Sequence, residues 1–333
     1  MPGTQAFTRV SMGKETTWGT GVAPTRRFYG VGTGALDPGL SWENHRDAAR
    51  GVKTRIGRAL TQTAEDPKFK LQSAGGIGYD DIVQILSAGL RGGQTGVGAS
   101  ADKTWTLVSQ NAASNTYSPM TVELTDEIQG YRVAGCLPTA WTLSTKLGGL
   151  TDLSADMFGK VTTKVTAATP AETVPVMIPA ELWTIKFAAL LASLTAASVV
   201  SNFLRSWSLT WNTVSQPRHY ADGTLQAAQA VETDMGGTLS LEVESTAQAV
   251  SEFYDKRVAG TLDFVRLKAI GPVLGGTFYS CQIDVPVYWQ DPDILSGDDN
   301  GVNLYKVTGD IAYDVTSAQS LGITLVSSLA AIP

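Results

Sequence analysis

The chain has 333 residues, of which 43% are hydrophobic and only 17% charged, with 34 glycines and two cysteines. That length suits two cores of about 150 residues each, and the charge-poor composition points to surface covered by subunit contacts. A net charge of −6 excludes a whole-protein basic footprint for gripping nucleic acid.

The start, MPGTQAFTRVSMGKE, has no apolar run behind its charges, so no signal peptide is expected. Gly30-Val31-Gly32-Thr33-Gly34 has the glycine spacing of a phosphate cradle, but no Lys and no helical pattern follow it, and a strand-end turn is the expectation. A basic run, Arg46, Arg50, Lys53, Arg55 and Arg58, occupies a long hairpin excursion between Leu40-Trp42 and the strand near Phe69. It reads as a solvated loop or as a docking arm for an acidic surface on another copy; gripping nucleic acid would want interleaved aromatics that it lacks.

After Gly75-Gly76, Asp80 and Asp81 are placed to cap a helix carrying Ile82, Ile85 and Leu86 and ended by Gly89. Arg91 to Ser118 is Gly/Ser/Thr-rich and reads as a surface-lying loop. Trp141, Leu143, Thr145 and Leu147 then alternate with small or polar neighbours, as a half-buried strand does. Leu182 to Val200 carries Lys186 and is rich in Ala, Ser and Thr, so a membrane-spanning helix is not expected there.

Period two returns at Trp207, Leu209 and Trp211, at Leu239, Leu241 and Val243, and at Ile283, Val285 and Val287. Turn chemistry punctuates these runs at Gly148-Gly149, Asp222-Gly223, Gly236-Gly237, Gly275-Gly276 and Asp298 to Gly301. A second helix is expected where Thr246 precedes Val250, Phe253, Tyr254 and Val258, with Gly260 ending it.

Tyr131 to Ser144 and Phe278 to Gln290 resemble each other, and Cys136 and Cys281 take matching places in them. Each follows a helix and a Gly-Gly strand start, which suggests a duplicated unit with the cysteines as equivalent buried free thiols in a reducing compartment. The expected fold class is mainly β: a tandem pair of related antiparallel β-sandwich or β-barrel units, each with one short flanking α-helix. An N-terminal arm covers 1–25, the first unit 26–170 with long loops 43–66 and 91–118, a connector 171–200 and the second unit 201–333.

Chemistry is sparse. His45 and His219 have no second ligand at zinc spacing, and no GxSxG, HExxH or Walker A sequence occurs. Asp291, Asp293, Asp298, Asp299 and Asn300 miss the EF-hand spacing and read as a solvated acidic loop. The pairs Asp80/Asp81 and Glu242/Glu244 are assigned to capping and to an exposed strand face. No enzymatic activity, cofactor or metal is expected.

Three groups of residues nevertheless point to a family: Lys14-Glu15-Thr16-Thr17-Trp18-Gly19-Thr20; Tyr131 to Cys136 with Phe158-Gly159; and Ile283, Val285-Pro286, Gly297-Asp298-Asp299, Val307 and Ile323 to Val326. In their order and spacing they resemble the tail tube (major tail) proteins of long non-contractile-tailed bacteriophages, over nearly the whole chain. The resemblance implies a β-sandwich or β-barrel core with a flanking helix, in six-fold-symmetric rings stacked into a hollow tube through which double-stranded DNA passes. It also implies ring-stacking contacts from an N-terminal arm, here Lys14 to Thr25 with Glu15, Trp18, Gly19 and Thr20, and from a long loop, here Glu43 to Asp66 with Arg46, Arg50, Lys53, Arg55 and Arg58. The implied partners are further copies of the chain, the tape measure, tail tip and tail terminator proteins and, transiently, DNA; the implied location is the virion tail, after synthesis in the host bacterial cytoplasm.

An acidic, charge-poor wall would let a phosphate polymer slide, because each Lys or Arg that meets a phosphate releases counterions and adds affinity. If the duplication is real, three chains supply the six units of a ring; otherwise six chains are needed. A capsid-decoration or adhesin-like β module would share the composition. A carbohydrate-active enzyme would need a carboxylate pair in a cleft, which Trp207, Trp211 and Tyr288 could line.

Overall fold

The computed structural model describes residues 9–33, 39–45, 57–64, 66–90, 96–98, 102–109, 118–125, 129–201, 203–213, 215–220, 226–232, 235–299 and 301–332, with 39–45, 57–64, 232, 294–296, 298 and 299 as backbone only. The chain is mainly β and its sheets are antiparallel. In order, the first half holds β1 (Arg9–Lys14), β2 (Arg26–Phe28), β3 (Gly30–Thr33), β4 (Gly39–His45), β5 (Gly57–Ala64) and β6 (Lys68–Ser73). Helix α1 (Tyr79–Gly89) follows, then β7 (Lys103–Val108), β8 (Met120–Thr125), β9 (Gly130–Lys146), β10 (Asp152–Phe158) and β11 (Val161–Val165).

The second half holds β12 (Trp183–Ala188), β13 (Leu204–Asn212), β14 (Ser215–Arg218), β15 (Gln229–Glu232) and β16 (Gly236–Glu244). Next comes one helix, called α2 here, made of Ala247–Ala249, a π-helical stretch Val250–Asp255 and Lys256–Ala259. Strands β17 (Asp263–Leu274), β18 (Thr277–Trp289), β19 (Asp293–Asp299), β20 (Val302–Ile311) and β21 (Gly322–Ser327) complete it.

The strand pairings of the two halves repeat each other. In the first, β1 pairs β8, β8 pairs β9, β9 pairs both β10 and β11, β10 pairs β6 and β6 pairs β3. In the second, β12 pairs β17, β17 pairs β18, β18 pairs both β20 and β21, β20 pairs β16 and β16 pairs β13. The helix sits at the same point of each series, after β6 and after β16. Two hairpins, β4–β5 and β14–β15, also take the same place, each entered from the strand that pairs with β6 or β16.

This pairing draws the unit boundaries differently from the sequence expectation. Strand β1 lies within 1–25 and β12 within 171–200, yet they are the equivalent first strands of the two units. The loop 91–118 also contains a strand: β7 pairs β21 of the other half and buries Trp105 and Leu107. Cys136 and Cys281 are both buried and free, but they do not correspond. Lys14, Met120 and Cys136 stand side by side across β1, β8 and β9, whereas Ala188, Phe264 and Pro286 stand side by side across β12, β17 and β18. The ladder ends place the counterpart of Cys136 within a residue of Pro286, and the position that shares its place in the core is Val285, which pairs Val265 as Cys136 pairs Met120. A period-two pattern matches itself at many offsets, and the shared cysteine favoured the wrong one.

The alternation at Trp207, Leu209 and Trp211, at Leu239, Leu241 and Val243 and at Ile283, Val285 and Val287 puts all nine side chains in the core; Leu147, beyond the end of β9, is exposed instead. One continuous core draws on both halves and on both helices, since α1 gives it Ile82, Ile85 and Leu86 and α2 gives it Phe253. Gly30 and Gly32 lie within β3 rather than in a turn. A Cβ on Gly30 would come 2.3 Å from the Gln72 carbonyl oxygen, so close backbone packing requires the glycine there. The acidic run around Asp293 to Asp299 is the strand β19, and Asp291 beside it pairs with Arg257.

Both helices lie where their periodicity placed them. The N-cap of α2 is Thr246, whose hydroxyl accepts from the Ala249 amide, and Gly260 closes it in the left-handed conformation at φ 61°. Helix α1 differs: its N-cap is Gly78, which has no side-chain cap. Asp80 instead accepts from the amide and hydroxyl of Ser328, while Asp81 is buried beside Arg26, with Nη2 3.4 Å from the carboxylate.

Burial pushes the Asp81 carboxyl up to about 6 against the opposing pull of Arg26. A folded-state value above the unfolded one near 3.9 means a cost that is absent below about pH 4 and fully present above about pH 6. Stability should therefore fall as pH rises through that window, and Asp81→Asn should remove ~3 kcal/mol of the fall. Urea unfolding of both proteins at pH 4, 5, 6 and 7 checks this; parallel pH profiles would refute it.

Candidate assembly surfaces

Strand β9 belongs to two sheets. Residues up to Ala134 pair with β11 and residues up to Cys136, across a bulge, with β8, whereas residues from Leu137 onward pair with β10. Gly135 lies at the switch with φ 70°, and a Cβ there would meet Lys160 at 2.9 Å and the Trp18 ring nitrogen at 3.0 Å.

The loop after β1 is fastened to this switch. Glu15 is 1% exposed, and its carboxylate accepts from the Gly135 amide (2.8 Å), the Thr121 hydroxyl (2.7 Å) and the Gly19 amide (2.8 Å). Trp18 donates its ring N–H to the Gly135 carbonyl at 2.9 Å, and the Lys160 ammonium lies 4.7 Å from the Trp18 ring centroid. Of the arm residues expected to meet a partner, Glu15 is thus consumed within its own unit; Trp18 and Gly19 are half-buried and Thr20 is exposed.

Beyond the switch, β9 joins the two halves. Ala140 to Lys146 pair with Asn212 to Ser206 of β13, with Trp141 opposite Trp211 and Leu143 opposite Leu209. Hairpin β14–β15 reaches back over this junction: Ala230 packs with Leu137 and Phe158, and His219 Nε2 lies 3.0 Å from the Asp66 carboxylate. His219 is accounted for by that contact; the side chain of His45 lies outside the described residues.

The counterparts of these edges have no such partner. Among the described residues, β3 pairs only with β6, although its equivalent β13 is bonded on both sides. The equivalent of the far half of β9 is the end of β18 continued by β19, both laid along β20. Strand β19 pairs only with β20 among the described residues. Unpaired edges of this kind are templates for another strand.

One face of the joined sheet is covered with small hydroxyl side chains. Ser154, Thr142, Thr210 and Thr238 form one cross-strand row, and Ser144, Ser208, Ser240 and Thr308 the next. The Thr142 and Thr210 hydroxyls are 3.1 Å apart, and those of Ser240 and Thr308 are 3.0 Å apart. On this face Lys70 stands opposite Asp156 and Lys306 opposite Glu242, while Lys146, Asp152 and Asp310 stand opposite Ser206, Ser144 and Thr238.

Arg46, Arg50, Lys53 and Arg55 lie outside the described residues, and Arg58 is described only as backbone of β5. What sequence reasoning missed is the outward face of α2. Val250, Tyr254 and Val258 were grouped with Phe253 by helical period, yet only Phe253 is buried. Among the described residues no group of three or more His, Cys, Asp or Glu is placed to hold a metal ion, and no helix is long and apolar enough to cross a membrane.

No family model matches the chain, and no curated protein matches it. Among solved structures it is matched to a conserved protein of unknown function with a hot dog fold from Alicyclobacillus acidocaldarius, at 11% identity over 79% of this chain and 93% of that one. The TM-score is 0.11, so nothing about this fold is drawn from it.

Glu15→Ala should strand the amides of Gly135 and Gly19 and the Thr121 hydroxyl in a buried site, at a cost of about 2 to 4 kcal/mol. Denaturant unfolding of the two proteins measures it, and a loss below ~0.5 kcal/mol would mean that the switch is held by other contacts.

Proposed function

We propose that this chain is a structural protein of a phage tail tube, three copies of which close a ring of six related units around a channel for double-stranded DNA. The observation that carries the reading is the internal β9–β13 ladder with its two unpaired counterparts, β3 and the β18–β19 edge. If β3 of one copy bonded to β18–β19 of the next, it would repeat between chains the junction already made within one. Such a contact is head-to-tail, and it ends only when a ring closes.

The hydroxyl-covered face supports the channel role. In the ring it would run from unit to unit as a continuous wall. Two of its lysines, Lys70 and Lys306, stand opposite carboxylates, and Asp152 and Asp310 add negative charge, which limits the cations able to release counterions on meeting phosphate. The acidic wall inferred from composition thus becomes a hydroxyl wall of balanced charge. The β4–β5 hairpin, equivalent to the one that reaches across the internal junction, would reach across the external one, bringing its basic tip to the next copy.

Two experiments test this reading. The mass of an isolated ring by native mass spectrometry should be three times the chain's 35.2 kDa, with an end view that shows a central hole. Six chains per ring would overturn the trimer, and compact monomers at every concentration would overturn the ring. Reversing the arm's charge with Arg50→Glu and Arg55→Glu should weaken assembly by about tenfold or more; unchanged assembly would remove the arm from the contact.

A further inference from the structure

The two helices are equivalent in the repeat but differ in what covers them. Counted from their N-caps, Gly78 and Thr246, residues Ile82, Leu86 and the C-cap Leu90 stand at the places of Val250, Tyr254 and Val258, and Ile85 at that of Phe253, although α2 is wound as a π-helix over Val250–Asp255. Ile85 and Phe253 are both fully buried against their own units. The other three positions diverge: Ile82, Leu86 and Leu90 are 0%, 0% and 4% exposed, whereas Val250, Tyr254 and Val258 are 41%, 43% and 64% exposed.

The second unit provides the cover over α1. Helix α1 packs on β18 and β21, and on β7, which extends the β21 edge. Tyr79, on the same helical face as Ile82 and Leu86, meets Tyr279 of β18 with ring centroids 5.4 Å apart. The stretch after β21 closes over the helix as well, through Ser328 on Asp80 and through Ile332 beside Gln84 and Ser87. Among the described residues, no element covers Val250, Tyr254 and Val258 in this way.

We propose that the Val250–Tyr254–Val258 stripe is an interface for a second copy of this chain, whose β9–β11 face covers it as β18–β21 covers α1. The repeat itself selects this occupant: β11 lies on the first half of β9 just as β21 lies on the first half of β18. The proposal rests on the ring reading above, yet it names a different surface from the strand edges. Two apolar zones, the edge ladder within the sheet and the helix stripe outside it, would then hold each pair of neighbouring chains. Three exposed apolar side chains in one row on a helix are otherwise a solubility liability.

Tyr254→Glu combined with Val258→Asp tests the stripe on the full chain. Both positions are exposed, so the melting temperature of the monomer should stay within a degree or two, while the concentration needed for ring formation should rise at least about tenfold. A wild type that forms rings alongside a variant with an unchanged assembly midpoint would overturn the stripe and leave the ring standing. A wild type that never assembles would overturn both. As a second measurement, Tyr254→Cys together with Lys164→Cys, on the β11 face that matches the one turned to α1, should give an oxidised dimer of chains on gel electrophoresis, and absence of that cross-link within intact rings would also refute the proposal.

Discussion

Backbone amides and carbonyls need partners on both edges of a strand, and β9 meets that need by dividing itself between two sheets. Around and before Gly135 it bonds to β8 and β11; from Leu137 onward, to β10 and β13. That division depends on one glycine in the left-handed region and on one buried carboxylate, Glu15, that receives its amide. Once β9 turns there, its far half requires a strand alongside, and the first long strand of the second unit's inner sheet is what fills the place. The relative position of the halves, the continuity of the core and the cover over α1 all follow from that ladder.

Much of this was legible in the sequence, and the limits have physical causes. Helices α1 and α2 were readable because a glycine ends each apolar face, and a Thr also opens α2. The inward strands were readable because Trp207, Leu209 and Trp211 can bury only one face of a strand. The repeat was visible as well, but its register was not, since alternating residues fit several offsets and only strand pairing together with core facing matches Cys136 to Val285. Strand β7 was hidden within a polar loop because it is stabilised by β21, more than two hundred residues away. The role of Glu15 was hidden for a similar reason: its charge reads as surface, and only the fold brings the Gly135 and Gly19 amides and the Thr121 hydroxyl around it.

The exposed stripe on α2 shows how a repeat exposes unfinished surface. The same apolar period serves both helices, but a side chain is buried only when another element lies on it, and the sequence of α2 carries no sign of whether that element is in the same chain. Comparing two equivalent sites in one molecule supplies that sign. Ile82, Leu86 and Leu90 give the covered state, and Val250, Tyr254 and Val258 give the uncovered one, against similar local packing at Ile85 and Phe253.

In the proposed ring this asymmetry has an energetic consequence. Three of the six junctions are already made within single chains, where the linker holds the partners at an effective concentration far above that of free protein. Only three junctions then depend on encounter, each joining an edge ladder to a helix contact. A dimer would satisfy one of them and leave a β3 edge and a β19 edge still open; closure satisfies both at once. The internal ladder therefore favours complete rings over open chains, because the last junction to form gains contacts without a further loss of translational freedom.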